Sequence, residues 1–299
     1  MPLMPDADDQ RSDSIELSVV IAAYDAAGTI GDQLRALLDQ DWDGSWEIVV
    51  ADNGSGDKTR QIVERAAASD SRVRLVDSSD RRGPAHARNV GVSHARGPSI
   101  AFCDADDMVG EGWLAAMGEA MRLSSMVTGP QEHERLNPEW LHGIYGTAPA
   151  SELQTFSGIF AFGPAANLGI HRELFEQLGG FDASLTVGED IDLCLRAWLR
   201  GERPEFVAGA VVHYRYRERL RDLWHQAVQY GATRPMIARR LSEAGLPMPS
   251  RLSGARNWIW LLRRLPSLRS RAGRARWAVV AGGSLGRIIG SVRQRYLVL

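Results

Sequence analysis

The chain has 299 residues, 44% of them hydrophobic and 24% charged, with a formal net charge of -2. This is globular composition with core enough for one large domain and an appendage, and it excludes a low-complexity chain. The near-neutral balance gives no argument for nucleic acid as a partner, although charge is uneven along the chain: from Arg251 to Leu299 arginines are frequent and Asp and Glu do not occur.

The opening stretch, MPLMPDADDQRSDS, is polar and acidic and lacks the basic and apolar regions of a secretory signal, so residues 1–14 are expected to be a disordered tail. Ile15–Ala23 (IELSVVIAA) is a β-branched run expected for a strand buried on both faces, and TIGDQLRALLDQ from Thr29 has the apolar spacing of an amphipathic helix. WEIVVADNGSGDKT repeats the pattern, with a strand over Trp46–Ala51, a polar Gly-rich turn and a helix TRQIVERAAAS. A third strand, VRLVD, a third helix, around PAHARNVGVSHA, and a fourth strand, SIAFCDADD, follow. This alternation predicts an open, mainly parallel sheet covered by helices, with ligands outside the carboxyl ends of the strands. Tyr24 and Asp25, Asp52 and Asn53, and the Asp104 group each end a strand, so all converge on one edge.

Residues 129–150 carry Pro130, Pro138 and Pro149 and are expected to form a long functional loop. NLGIHRELFEQLGGFDASLTVGEDIDLCLRAWLRG then resumes with a strand, a helix, a Gly-Gly stop and a helix opened by acidic residues. Cys103 and Cys194 sit in apolar surroundings at no metal-ligand spacing and are expected to be reduced core thiols.

FCDADD carries the first chemical signal. Asp104 and Asp106, separated by one residue at the end of an apolar strand, offer hard oxygen ligands suited to Mg²⁺ or Mn²⁺, which complete their shells with water and substrate phosphates. The alternative for such a cluster is a solvated acidic loop, with Asp107 as the N-cap of the next helix.

VVIAAYDAAGTI, EIVVADNGSGDKT, GPAHARNVGVSHARG, FCDADD, NLGIHREL, GGFD and GEDIDLCLRA fall in an order and spacing that resembles the family 2 glycosyltransferases of the GT-A fold, over about residues 16–215. The resemblance implies an α/β fold, a mainly parallel central sheet flanked by helices, with a nucleotide-binding half at 15–107 and an acceptor half at 108–226. A basic helical region over 227–299 follows as a C-terminal appendage. It further implies that Tyr24 lies against the nucleotide base, Asp52 accepts a hydrogen bond from the base, and Arg88 contacts the base or a phosphate. Asp104 would bind the ribose and Asp106 the divalent metal, Mg²⁺ or Mn²⁺, that bridges the diphosphate, with His213 reaching the same metal. The first-strand motif departs from the family pattern, since Ala22 and Asp25 stand where proline and asparagine are usual, and no role is carried onto Asp25.

In GEDIDL the resemblance makes Asp190 the catalytic base of an inverting displacement, which needs one carboxylate to take the acceptor hydroxyl proton. The plain alternative is helix N-terminal charge. Glu189 is expected to hold an acceptor hydroxyl and Asp192 to cap or brace the helix. Trp140 and Tyr145, in the irregular loop, are the candidates for acceptor stacking, while Trp198, Trp224, Trp258 and Trp260 are expected in the core.

The tail has two readings. Ala281, Leu285, Ile288, Ile289, Val292 and Tyr296 form an apolar helix face beside a run of arginines, which suits an anionic membrane surface. Gly282, Gly286 and Gly290 recur every fourth residue, a spacing that lets helices approach closely and would equally serve docking onto the protein's own domain. No spanning helix of roughly 18 or more apolar residues is expected.

The function expected is therefore transfer of a sugar from a nucleotide diphosphate donor, a UDP-sugar first, to a glycan or lipid-linked acceptor of the cell envelope. The expected location is the cytoplasm, at the inner face of the membrane. The rival readings are a catalytically silent GT-A-like scaffold and a nucleotidyltransferase, whose Gly-rich, Arg-containing phosphate loop YDAAGTIGDQ lacks. A dinucleotide-dependent oxidoreductase is disfavoured because GxGxxG is missing at the first turn.

Overall fold

The structure, a computed structural model, describes residues 14–145, 152–246 and 254–298. The expected N-terminal tail, apart from Ser14, and the end of the loop expected over 129–150 lie outside the described residues.

The first half alternates as its hydrophobic pattern requires: β1 (Leu17–Ala23), α1 (Ile30–Leu38), β2 (Trp46–Asp52), α2 (Thr59–Ser69), β3 (Val73–Asp77), α3 (Pro84–His94) and β4 (Ser99–Asp104). The second half is more broken, with β5 (Met108–Val109), α4 (Trp113–Met121), β6 (Met126–Thr128), β7 (Gln131–Glu132), β8 (Gln154–Phe156), β9 (Phe160–Phe162), β10 (Asn167–His171), α5 (Arg172–Gln177), α6 (Glu189–Trp198), β11 (Glu205–Phe206) and β12 (Val212–His213). Three helices end the chain: α7 (Leu220–Glu243), α8 (Ala255–Arg263) and α9 (Arg271–Gln294).

The main sheet runs β11-β6-β10-β4-β1-β2-β3. β4, β1, β2 and β3 are parallel, and β10 enters antiparallel to both β4 and β6. Period-2 side-chain alternation splits the strand residues between two apolar layers. Val20, Val49 and Phe102 pack with α3, α5, α6 and α7, whereas Val19, Ile21, Ile48, Val50 and Cys103 pack with α1, α2 and α4. Both cysteines are buried free thiols.

The division expected between residues 226 and 227 falls inside α7, which is continuous from Leu220 to Glu243. The glycines of α9 meet α7: Gly282, Gly286 and Gly290 face the backbone carbonyls of Trp224, Val228 and Ala232, where a Cβ would be tight at Gly282 and would collide at Gly286 and Gly290. That face of the tail is therefore used within the chain. Of the apolar tail positions, Ala281 is buried, while Leu285, Ile288 and Val292 remain exposed. No helix among the described residues is long and apolar enough to cross a membrane.

Candidate active site

Register brings the polar strand ends together, since Ala23 stands opposite Asp52 and Ala22 opposite Asp104. Just past β1, Tyr24 is 55% exposed, with the Arg82 guanidinium carbon 4.6 Å from its ring centroid. Asp25 adopts a left-handed φ of 47° and accepts the Gly56 N–H at 2.7 Å, so its carboxylate ties the β1 exit to the turn after β2. Asp52 is fully buried at the end of β2 and accepts from Arg60 Nη1 at 3.0 Å. Asn53 braces the same edge, donating to the Ser78 and Arg81 carbonyls and accepting from Gly83 N–H.

Arg88, on α3, is buried and forked between two carboxylates, Asp104 at 2.6 Å and Glu189 at 2.7 Å. Burial alone would lower its pKa, but the two carboxylates overcome that and hold the guanidinium above its ordinary value. Arg88, expected at the base or a phosphate, and Glu189, expected at an acceptor hydroxyl, are thus paired with each other across the site, as a buried charge requires.

Beyond β4, Asp106 is partly accessible and pairs with Arg217 at 3.1 Å. Burial and then the Asp104 charge raise its pKa, with Arg217 opposing. Asp107 is not a helix cap: α4 starts at Trp113 after Gly112, and Asp107 instead accepts the Arg215 N–H at 2.8 Å while Arg215 Nε donates to the Asp106 carbonyl at 2.9 Å. Arg215 and Arg217, which clamp the acidic turn, were not foreseen; the only signal for them is the alternation of basic residues in HYRYRER.

The strand ends therefore offer a cation the accessible carboxylate of Asp106, with Asp104 beside it. Among the described residues no group of three or more His, Cys, Asp or Glu is gathered for a metal. So sparse a donor set fits Mg²⁺ or Mn²⁺, which keep most of their ligands as water and substrate phosphate. His213, expected at the same cation, is paired in this structure. Its Nδ1 meets Glu132 at 2.7 Å and its Nε2 meets Arg135 at 3.0 Å, which uses both ring nitrogens.

Across the Arg88 bridge lies the start of α6. Gly188 takes φ +83° as its N-cap, and a side chain there would strike Thr233 of α7. Asp190 follows in the first turn, its carboxylate oriented by the N–H groups of Ala165 at 3.1 Å and Ile191 at 2.7 Å. Burial, and then the neighbouring Glu189 charge, raise its pKa to about 6, against the lowering effect of those N–H groups and Arg88. Asp192 is fully buried and braces the helix against Arg196 at 2.8 Å and Arg240 of α7.

Trp140 and Tyr145 diverge. Trp140 is part-buried, packs against the Leu141–Ile144–Tyr216 cluster and has Arg271 over its ring, the guanidinium carbon 3.8 Å from the centroid. Tyr145 is 39% exposed and donates to Gln226 at 3.0 Å. Trp258, expected in the core, is exposed on α8.

Residues 18–179 match the model of glycosyl transferase family 2, and residues 100–281 match glycosyl transferase family group 2. The chain belongs to glycosyl transferase family 2. Pre-mycofactocin glycosyltransferase of Mycobacterium tuberculosis is 25% identical over 260 residues, covering 84% of this chain and 54% of that protein. Succinoglycan biosynthesis protein ExoO of Rhizobium meliloti is 31% identical over 215 residues, 67% of this chain and 61% of ExoO. A UDP-Glc:alpha-D-GlcNAc-diphosphoundecaprenol beta-1,3-glucosyltransferase of Escherichia coli is 35% identical over 116 residues, 38% of this chain and 42% of that enzyme. The chain thus spans about half the length of the curated relatives it matches. Among solved structures, the mannosyltransferase PcManGT of Pyrobaculum calidifontis, in complex with GDP-Man and Mn²⁺, superposes with a TM-score of 0.62 at 18% identity, covering 93% of this chain and 88% of that one. TarS of S. aureus, residues 1–349 in complex with UDP-GlcNAc, gives 0.54 at 18% identity, covering 94% and 93%. The fold of this family 2 member is therefore the GT-A arrangement expected from its motifs.

Proposed function

We propose that the protein is a metal-dependent, inverting glycosyltransferase that moves a sugar from a nucleotide diphosphate donor to a hydroxyl acceptor. The observation that carries this reading is the pairing of two acidic sites through one buried guanidinium: Asp104 and Asp106 on the donor edge, Asp190 beside Glu189 on the acceptor side. The base lies on the exposed face of Tyr24, Asp104 holds the ribose, and Asp52, buried and paired with Arg60 at 3.0 Å, accepts from the base ring once that pair opens. Asp106 would hold a divalent cation against the diphosphate, where such a cation neutralises charge growing on the leaving group. Asp190, at about 6, is ionised at neutral pH yet basic enough to take the acceptor proton. An attack assisted from the side opposite the leaving diphosphate inverts the anomeric centre.

A uridine donor is the first choice, and both the UDP-glucose relative and the UDP-GlcNAc neighbour support it; the GDP-Man neighbour keeps guanosine sugars in the comparison. The succinoglycan and diphosphoundecaprenol relatives support a cell-envelope glycan or lipid-linked acceptor. The C-terminal helices support a peripheral position on an anionic membrane surface at its cytoplasmic face: α8 exposes Trp258 (44%), Ile259 (53%) and Leu262 (69%) beside Arg263 and Arg264.

The deciding test is a thermal-shift titration with UDP, dTDP and GDP, with and without Mn²⁺, on wild type and Asp106→Ala, followed by product analysis with the matching nucleotide sugars. Metal-dependent stabilisation by one nucleotide in wild type alone is the expected result. Absence of any shift and of any product would return the silent-scaffold reading. For the membrane position, sedimentation with anionic liposomes that weakens at high salt is expected, and equal sedimentation with neutral liposomes would overturn it.

A further inference from the structure

The C-terminal helices border an open cavity of about 610 Å³ that the reaction described above leaves unused. α7 contributes Tyr230 and Arg234, α9 contributes Arg276 and Arg287, and Trp260 of α8 and Tyr145 complete the wall. Among the described residues, three guanidiniums line it and no carboxylate does. Arg276 Nη2 is taken by the Gly143 carbonyl at 2.9 Å. Among the described residues, neither Arg234 nor Arg287 has an ion-pair partner: the Arg234 guanidinium carbon lies 5.9 Å from the Phe156 ring centroid, and Arg287 Nε is buried without a hydrogen bond.

The two cations act on each other although Arg234 is exposed and Arg287 part-buried. Arg287 is pushed below its ordinary pKa first by burial and then by the charge of Arg234, and Arg234 is lowered by the protein crowded around a side chain that still opens onto the cavity. Two cations held together without a counterion are stabilised by an anion placed between them, and guanidiniums match phosphate oxygens bidentately. Of the remaining lining, Ile144, Ala227, Val279 and Val280 are apolar and Asn257 is polar.

The cavity also has a defined neighbour. Tyr230 lines it, three residues before Thr233, which packs on Gly188 at the start of α6, and the charges of Asp190, Asp104 and Glu189 act on its phenol. Arg234 is one helical turn further along α7.

We propose that this cavity seats a phosphate or diphosphate ester of the acceptor, gripped by Arg234 and Arg287, so that the acceptor hydroxyl is presented past Tyr230 to Asp190. The word acceptor rests on the glycosyltransferase reading; the anion site does not. The anion could be carried by a lipid or by a soluble phosphorylated glycan, and the test separates the two.

The full chain is titrated calorimetrically in EDTA, so that no cation at Asp106 can recruit a diphosphate, using farnesyl diphosphate, inorganic pyrophosphate and farnesol. Farnesyl diphosphate is expected to bind, and the Arg234→Gln/Arg287→Gln variant to bind it at least tenfold more weakly, while Mn²⁺-dependent nucleoside diphosphate binding is unchanged. Equal affinity for pyrophosphate assigns the site to the anion alone, and tighter binding of farnesyl diphosphate assigns it to a lipid-linked source; both support the proposal. Undiminished binding by the folded variant, or farnesol binding as tightly as farnesyl diphosphate to wild type, would overturn it. The wild-type comparison decides the matter even if the variant does not fold. Arginine-dependent farnesyl diphosphate binding without any nucleotide binding would sink the glycosyltransferase reading and leave the anion site standing.

Discussion

Replacing Asp190 by Asn is expected to raise stability and remove turnover together. In the folded protein the carboxyl is held at about 6 against an ordinary 3.8, chiefly by burial. A folded-state pKa above the unfolded one means that the group's stabilising contribution is full below about pH 4 and is lost as pH rises through 6. At pH 8 the ionised Asp190 therefore costs the fold up to about 3 kcal/mol, an upper figure because the side chain is not fully enclosed. Asn removes the charge and keeps an oxygen to accept the Ala165 N–H. Melting followed by circular dichroism should show the variant several degrees more stable at pH 8 and level with wild type at pH 4, since about 1 kcal/mol moves the midpoint by a few degrees in a protein of this size. Turnover should fall by about 10²–10⁴, the usual contribution of a positioned base, and the wild-type kcat/KM should rise with pH through about 6. An Asn variant that turns over within tenfold of wild type, or a wild-type profile flat across pH 5–7, would refute the assignment of the base.

Three other perturbations test the frame around it. Arg88→Ala strands the Asp104 and Glu189 carboxylates in a buried site, and should cost about 3–5 kcal/mol in denaturant unfolding, with Arg88→Lys intermediate because it cannot fork to both. Arg217→Gln frees Asp106 from its present partner, so the Mn²⁺ concentration for half-saturation, measured by titration without nucleotide, should fall several-fold. Gly286→Leu drives a side chain into the Val228 carbonyl of α7 and should destabilise by about 1–3 kcal/mol or more, read as a lowered thermal midpoint.

The donor edge was legible in the sequence because it follows from local pattern alone. β-branched runs ending in Tyr24, Asp52 and Asp104 dictate strands, parallel order dictates a shared edge, and the register bears this out. What period and motif do not carry is pairing between distant segments. Arg88 and Glu189 are 101 positions apart, and each looks available for substrate until burial requires them to neutralise each other. His213 is a second case, since the sequence does not show that the β7–β12 pairing brings Glu132 and Arg135 to its two ring nitrogens. The α9 glycines pointed correctly to close helix packing, but only the fold decides that the partner is α7.

That choice of partner joins the C-terminal helices to the chemistry. α9 locks α7 through contacts that admit no side chain, and α7 in turn fixes the start of α6. Thr233 donates to the Val187 carbonyl at 3.2 Å and fills the space above Gly188, while Arg240 pairs with Asp182 at 2.9 Å and with Asp192. Asp190 sits between these two fastenings, so its position depends on helices that the sequence alone marks as an appendage. Tyr24 and Asp52, at the ends of β1 and β2, share none of these contacts, and Asp104, on β4, is tied to α6 only through the Arg88 bridge to Glu189. Loosening α7 from α9, as in Gly286→Leu, should therefore depress kcat while nucleotide affinity holds, and an equal loss of both would mean that the two halves of the site are not separately supported.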